Sequence, residues 1–347
     1  MIKLFPRSDN SVGAKKRGWY GHVDGGGTYA RVLIAEKGSG RSVYERKFTC
    51  ADYGSIDEIV FKAFEEAGGI PDKMVFALAG PIDLEKQRVQ FTNRPGWPDF
   101  SLRKMESATG VEGLLVNDMQ LIAADAAWTD QSYLTEIKPG HVWPEGRLLI
   151  LTWSTGVNSA IAEFDRTVAL ETGWGTTVAA LTEDENSYID FVAKKLKTPY
   201  PTVEQLIGGA HGLNFAPEWL ESLGERPDPK TESKINDLRS QGRGLGAAIT
   251  SGVDFDPFCQ RILRVLGGIY GTHLRDLLAT FAPTGGLHLV GSVNIAIAGK
   301  LTDPKVSPMI ERIDDSRLPL YEIASKVSIV VNRDESLLSR GARVLAR

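Results

Sequence analysis

A chain of 347 residues, 42% hydrophobic and 24% charged, exceeds the size at which single hydrophobic cores stop growing and is expected to fold as two domains. Its net charge of −4 with scattered Lys and Arg argues against a nucleic-acid footprint, and no apolar run reaches the roughly 18–20 residues that span a bilayer. The two cysteines, Cys50 and Cys259, are too few for a disulfide framework or a thiolate zinc site and fit free thiols in a cytoplasmic protein.

Met1 to Gly18 mixes Lys, Arg, Pro, Ser and Asp without an apolar stretch, so it reads as an extension and not as a signal peptide. Next, Val23-Asp24-Gly25-Gly26-Gly27-Thr28 ends one apolar run and opens another, Ala30 to Ala35, with a further strand expected over Val43–Phe48. Ile56–Ala67 has helical spacing. Met74–Ala79 reads as a buried parallel strand ending at Gly80-Pro81, and Leu102–Thr109 as a helix. Gly113–Val116 is another buried strand that stops at Asn117-Asp118, ahead of helical spacing over Met119–Trp128. The opening pattern then recurs: Leu148–Leu151, the turn Thr152-Trp153-Ser154-Thr155-Gly156, Ala160–Ala162 and Thr167–Leu170. A largely helical region follows from about Ser187 to Thr280, with Gly224–Gly244 as exposed helix and loop. Leu287–Ser292 and Val327–Val331 read as late buried strands, and Ser336–Ala346 as a closing helix. Alternating strands and helices with a duplicated three-strand start imply two α/β lobes with a cleft between them.

Each strand–turn–strand unit has a turn of small residues. Such a turn lets backbone N–H groups approach an anion, and the Thr hydroxyl adds a donor. Asp24, Gly26, Gly27 and Thr28 in the first turn, and Thr155 and Gly156 in the second, are therefore candidates for gripping a polyphosphate. Asp24 is also the candidate metal residue, organising Mg²⁺ on the phosphates. A plain hairpin that needs glycines reads the same way at the first turn. No Walker loop occurs, and no dinucleotide fingerprint.

Asp118 is the candidate general base, since phosphoryl transfer to an alcohol uses a carboxylate to accept the hydroxyl proton. It also stands where a helix N-cap belongs. Asn117, Asp118, Glu171 and Glu204 together resemble a cage for a polyol, because carboxylates accept paired hydrogen bonds from vicinal hydroxyls. Thr92-Asn93, beside Pro95-Gly96-Trp97, is a binding loop or a turn. The five histidines show no metal-ligand spacing.

Taken in order, these segments resemble the bacterial glucokinase family of the hexokinase and actin-like ATPase superfamily, over nearly the full length. Asp24–Thr28 resembles its first phosphate motif, Ala79-Gly80-Pro81 through Thr92-Asn93 to Trp97 its Ala-Gly-Pro strand and Thr-Asn loop, and Asn117-Asp118 its Asn-Asp pair. Glu171 falls on the glutamate of the sugar loop and Glu204 on the downstream sugar-binding glutamate. Leu289–Ser292 resembles the adenosine motif, placing Gly291 and Ser292 at the nucleotide, and Leu337–Ala342 the closing helix. The resemblance implies a two-lobed actin-like ATPase fold, a ribonuclease H-like duplication with a central cleft. The small lobe would hold 1–128 plus 327–347 and the large lobe 129–326, closing to exclude water. It further implies ATP and Mg²⁺ as cofactors, Asp118 as the base, and Asn93, Asn117, Asp118, Glu171, Trp174 and Glu204 as acceptor ligands. The expected partner is a small-molecule sugar or cyclitol, in the cytoplasm, with no nucleic acid or membrane and a homodimer as the assembled form.

The departures are local. The family's second motif, Gly-x-Gly-Thr-Gly-x-Gly, reads Thr152-Trp153-Ser154-Thr155-Gly156-Val157-Asn158. Trp153 is accommodated there if it points into the core, and Asn158 if it takes the positive φ open to asparagine. Trp174 replaces the histidine of the sugar loop, which bears on whether the hexose is glucose, an amino sugar or a cyclitol. A non-catalytic sugar sensor is the reading from another class, although a sensor has no need of a base.

Overall fold

The computed structural model describes residues 18–26, 29–83, 85–91, 94, 96–163, 166–317, 321–334, 336–337, 340 and 341. The chain divides into two units, Met1–Leu121 with Leu338–Arg347, and Ile122–Leu337. Of the sequence expectations, Gly27, Thr28, Asn93, the segment before Gly18 and most of the closing helix lie outside the described residues.

In the first unit, β1 (Trp19–Gly25), β2 (Tyr29–Glu36) and β3 (Ser42–Thr49) form an antiparallel meander, and β4 (Lys73–Leu78) lies parallel to β1. Three two-residue strands, β5 (Ile82–Asp83), β6 (Arg88–Val89) and β7 (Phe100–Ser101), make a small separate sheet. β8 (Glu112–Val116) then adds parallel to β4, giving the order β3-β2-β1-β4-β8. β4 is buried at five consecutive positions, Met74 to Leu78, as a strand covered on both faces requires. The helix Ile56–Ala67 packs Ile56, Ile59, Val60, Ala63 and Phe64 into this core. Its ends are chemically specified. Ser55 accepts a hydrogen bond from Glu58 N at 3.2 Å, and Gly68 takes the left-handed conformation past the last turn, with φ 72°.

The second unit repeats the plan. β10 (Leu148–Trp153), β11 (Val157–Glu163) and β12 (Arg166–Leu170) form the meander, and β13 (Gly286–Val290) and β14 (Ile329–Asn332) add in parallel. β9 (Leu134–Lys138) closes the edge antiparallel, for the order β12-β11-β10-β13-β14-β9. The helical region is six helices, of which Pro257–Phe281 is the longest, capped by Asp256 with Pro257 at its first position. Trp153 is fully buried; its indole N–H donates to Ile207 O at 2.8 Å and its ring lies 4.6 Å from that of Tyr270. The bulky residue in the altered turn thus does point into the core.

Two features differ from expectation. From sequence, residues after 327 belong with the small lobe, yet β14 pairs Ile329 with Leu287 and Val331 with Leu289 in the second unit's sheet. An apolar run of five residues carries no mark of which parallel sheet it joins. Asn158 is not in a positive-φ conformation. It lies within β11 opposite Thr152, and the non-glycine residues with positive φ among those described are Gln87, Lys197 and Ala282.

Candidate active site

In the first unit the site is built at the carboxyl ends of parallel strands, where open α/β sheets bind ligands. Asp24 pairs with Ala77 across β1 and β4, and Ala77 pairs with Val116 across β4 and β8. Asn117 and Asp118 directly follow, so register alone brings Asp118 to the level of Asp24. The two carboxylates interact. Burial, and then the Asp118 charge, push the pKa of Asp24 up to about 7, against the opposing pull of Arg31.

The helix Asp118–Ala126 starts at the candidate base. The capping contacts come from both acidic and amide side chains. Asn117 Oδ1 and Asp118 Oδ1 each accept from Met119 N at 2.9 Å, and Gln120 Oε1 accepts from Asn117 N at 3.0 Å. Asn117 is buried and Asp118 half-buried. Gln120 N in turn donates to Asn117 O at 3.0 Å, so the two residues hold the helix start.

At the first turn, Gly26 N donates to Tyr29 O at 3.0 Å and Gly26 O accepts from Cys50 Sγ at 3.5 Å. The Gly26 amide therefore closes the hairpin. What Gly26 offers a phosphate is an unobstructed approach, since a Cβ there would meet only Tyr29 O, at 3.6 Å.

In the second unit two glutamates bond to successive residues of β11, Val157 and Asn158. Glu204 is 6% exposed on the short helix Val203–Ile207, which Thr202 and Gln205 cap reciprocally. Its Oε2 accepts from Val157 N at 2.5 Å. Burial raises its pKa to about 7, the Val157 N–H opposes the rise, and the charge of Glu171 adds to it. Glu171 precedes the helix Thr172–Gly175 and is more open. Its Oε2 accepts from Asn158 Nδ2 at 2.9 Å, and burial raises its pKa while this amide lowers it. Three glycines crowd the Glu204 carboxylate: a Cβ would lie 3.3 Å from Oε1 at Gly156, 3.1 Å from Oε2 at Gly173 and 2.9 Å from Oε1 at Gly208.

The second turn is fixed by its neighbours. Ser154 N donates to Gly156 O at 2.9 Å, while Ser154 O and Thr155 O accept from Gly209 N and Ala210 N at 2.9 and 2.8 Å. Thr155 is exposed and Gly156 is half-buried. Gly291, with φ 95°, follows β13 and lies against this turn: a Cβ would be 2.6 Å from Thr152 Oγ1. Ser292 opens the next helix there. Trp174 is 43% exposed, its ring edge-on to His211 at 6.1 Å.

The first unit thus brings Asp24, Gly26, Asn117 and Asp118 together. The second gathers Thr155, Gly156, Glu171, Trp174, Glu204, Gly291 and Ser292. Sequence reasoning missed Asn158, which it treats as a backbone accommodation, and His211, which it treats as structural; proximity to Glu171 and Trp174 exists only in the fold. Among the described residues no group of three or more His, Cys, Asp or Glu is arranged to hold a metal ion. The Asp24 carboxylate, whose ionised form the nearby Asp118 charge and burial disfavour, would gain from a divalent cation carried mainly by phosphate oxygens and water.

Curated and solved proteins resemble this chain over most of its length. The curated glucokinase of Nitrobacter hamburgensis is 24% identical over 298 residues, 84% of this chain and 86% of that protein. The solved glucokinase of Balamuthia mandrillaris, in complex with glucose, superposes with a TM-score of 0.72 at 14% identity, covering 95% of this chain and 93% of that one. The ROK family glucokinase of Streptomyces griseus, in complex with glucose and AMPPNP, gives a TM-score of 0.63 at 18% identity, covering 95% and 99%. The fold is therefore that of the actin-like sugar kinases. Because the glucokinase family model matches residues 22–347, the chain belongs to the glucokinase family.

Proposed function

We propose that this sugar kinase transfers the γ-phosphoryl group of ATP to the primary hydroxyl of glucose, giving glucose 6-phosphate. The observation that carries the reading is the placement of Asp118 at the carboxyl end of β8, half-buried, with its charge felt at Asp24. Glucose-bound and AMPPNP-bound relatives of the same fold support it.

The substrate hydroxyl gives its proton to Asp118 as the phosphoryl group arrives in line. Glu171 and Glu204 accept hydrogen bonds from ring hydroxyls, with Asn117 and Asn93 completing the sugar ligands and Trp174 forming an apolar wall. Gly26, Gly27 and Thr28 of the first turn, and Thr155 and Gly156 of the second, are the residues proposed to bind the phosphates. Gly291 and Ser292 receive the adenosine. Asp24 would hold Mg²⁺ as a single carboxylate, and the bound cation neutralises charge on the transferring phosphoryl group. The setting proposed is cytoplasmic, with a homodimer as the assembled form, which light scattering would check. In the structure itself, no described helix is long and apolar enough to cross a membrane.

Coupled ADP release with ATP and Mg²⁺ tests the reading over glucose, mannose, glucosamine, N-acetylglucosamine, kanosamine and hydroxymethyl cyclitols. Strong turnover of glucose is expected. Turnover confined to an amino sugar or cyclitol would instead make the exposed Trp174 the feature that changed the acceptor, and sugar binding without ADP release would mark a sensor.

A further inference from the structure

Asn158 stands where the family pattern puts the last glycine of the second phosphate motif, and the chain uses none of a glycine's freedom there. The residue is ordinary extended strand in β11, paired with Thr152. Its side chain makes three hydrogen bonds. Nδ2 donates to Glu171 Oε2 at 2.9 Å, while Oδ1 accepts from Thr172 N and from Ser159 N, each at 3.0 Å. A further contact, Ser159 Oγ to Thr172 Oγ1 at 3.1 Å, fastens the same two segments. The neighbouring Val157 N–H holds Glu204. Consecutive residues leaving the phosphate turn thus grip both candidate sugar carboxylates, one by backbone and one by side chain.

We propose that Asn158 is a positioning residue for the acceptor: its amide fixes the direction of the Glu171 carboxylate, and its carbonyl oxygen ties the Trp174-bearing turn to β11. The proposal rests on reading Glu171 as a sugar ligand. The titratable group facing Glu171 from the helix Val203–Ile207 is Glu204. On β11 the charged residue is Glu163, at the far end and bound to Arg147. The Asn158 N–H lowers the Glu171 pKa against the rise that burial imposes, and removing it raises that carboxyl's proton affinity.

Asn158→Asp keeps an acceptor for the Thr172 and Ser159 amides, but it replaces the donor to Glu171 with a like charge. Asn158→Gly, the family residue, removes everything and retains a strand the family already tolerates. Carboxyl-carbon NMR titration, with Glu171 assigned through Glu171→Gln, reads the effect without any substrate. The Glu171 midpoint is expected to rise in both variants, more in Asn158→Asp. With glucose, KM should increase about 10-fold while kcat and the KM for ATP stay within about twofold, in line with losing one hydrogen bond to a charged group. An unmoved Glu171 titration in Asn158→Gly, which removes the donor without adding charge, would overturn the proposal, whatever the acceptor. Wild-type failure on glucose would count against the proposed function alone, since the titration still decides the role of Asn158.

Discussion

The Val157 N–H donates to the Glu204 carboxylate at 2.5 Å, so the first residue of β11 after the phosphate turn holds a buried acid. That acid is ringed by Gly156, Gly173 and Gly208, whose missing side chains leave the space its carboxylate occupies. Two of these glycines come from motifs that the sequence assigns to different substrates. Their shared purpose is to make room for one side chain.

Glu204 makes stability depend on pH. Burial holds its folded pKa at about 7, above a glutamate's ordinary value of 4.5, so the folded protein keeps a proton that the unfolded chain has already released. Stability from this group is full below about pH 4.5, falls as pH rises toward 7 and then levels off, a loss of about 3 kcal/mol. Glu204→Gln never ionises and still accepts from Val157 N. In thermal melts of ligand-free protein it should match wild type near pH 4.5 and melt several degrees higher at pH 8. Equal melting shifts at both pH values would show that Glu204 ionises normally.

Gly173 should resist even the smallest side chain. A Cβ would lie 1.9 Å from Val157 O, so Gly173→Ala must move the turn that carries Trp174 or the strand that holds Glu204. Kinetics should show kcat/KM for glucose down at least about 10-fold with the KM for ATP little changed. Unaltered glucose kinetics would mean that this turn shifts at no cost to the acceptor.

Trp174, three residues after Glu171, forms an edge-on pair with His211. Trp174→His restores the family's imidazole and exchanges an apolar wall for a hydrogen-bonding one. Buried polar contacts discriminate strongly between related ligands. The ratio of kcat/KM for glucose to that for N-acetylglucosamine should change about 10-fold or more. A constant ratio would remove Trp174 from the determinants of selectivity.

Much of this was legible in the chain. Asp24, Asp118, Glu171 and Glu204 stand out because strand ends, small-residue turns and isolated carboxylates leave local marks, and the two sheets share the meander-plus-parallel plan that the repeated turn implies. Non-local pairing was not legible. β9 reaches its place by pairing with β14, nearly two hundred residues on, and nothing in Leu134–Lys138 announces that partner. Asn158 was read as a backbone problem because its role depends on Glu171, 13 residues further on and brought back by the β11–β12 hairpin.

The central claim is that Asp118 is the base of a phosphoryl transfer to a sugar hydroxyl. Its most direct test is ADP release with glucose, ATP and Mg²⁺ for Asp118→Asn beside wild type, with glucose affinity measured in parallel. General-base catalysis contributes about 10²–10⁴-fold, so kcat should fall by at least that much while glucose still binds. A variant that keeps a tenth of wild-type turnover would contradict the account.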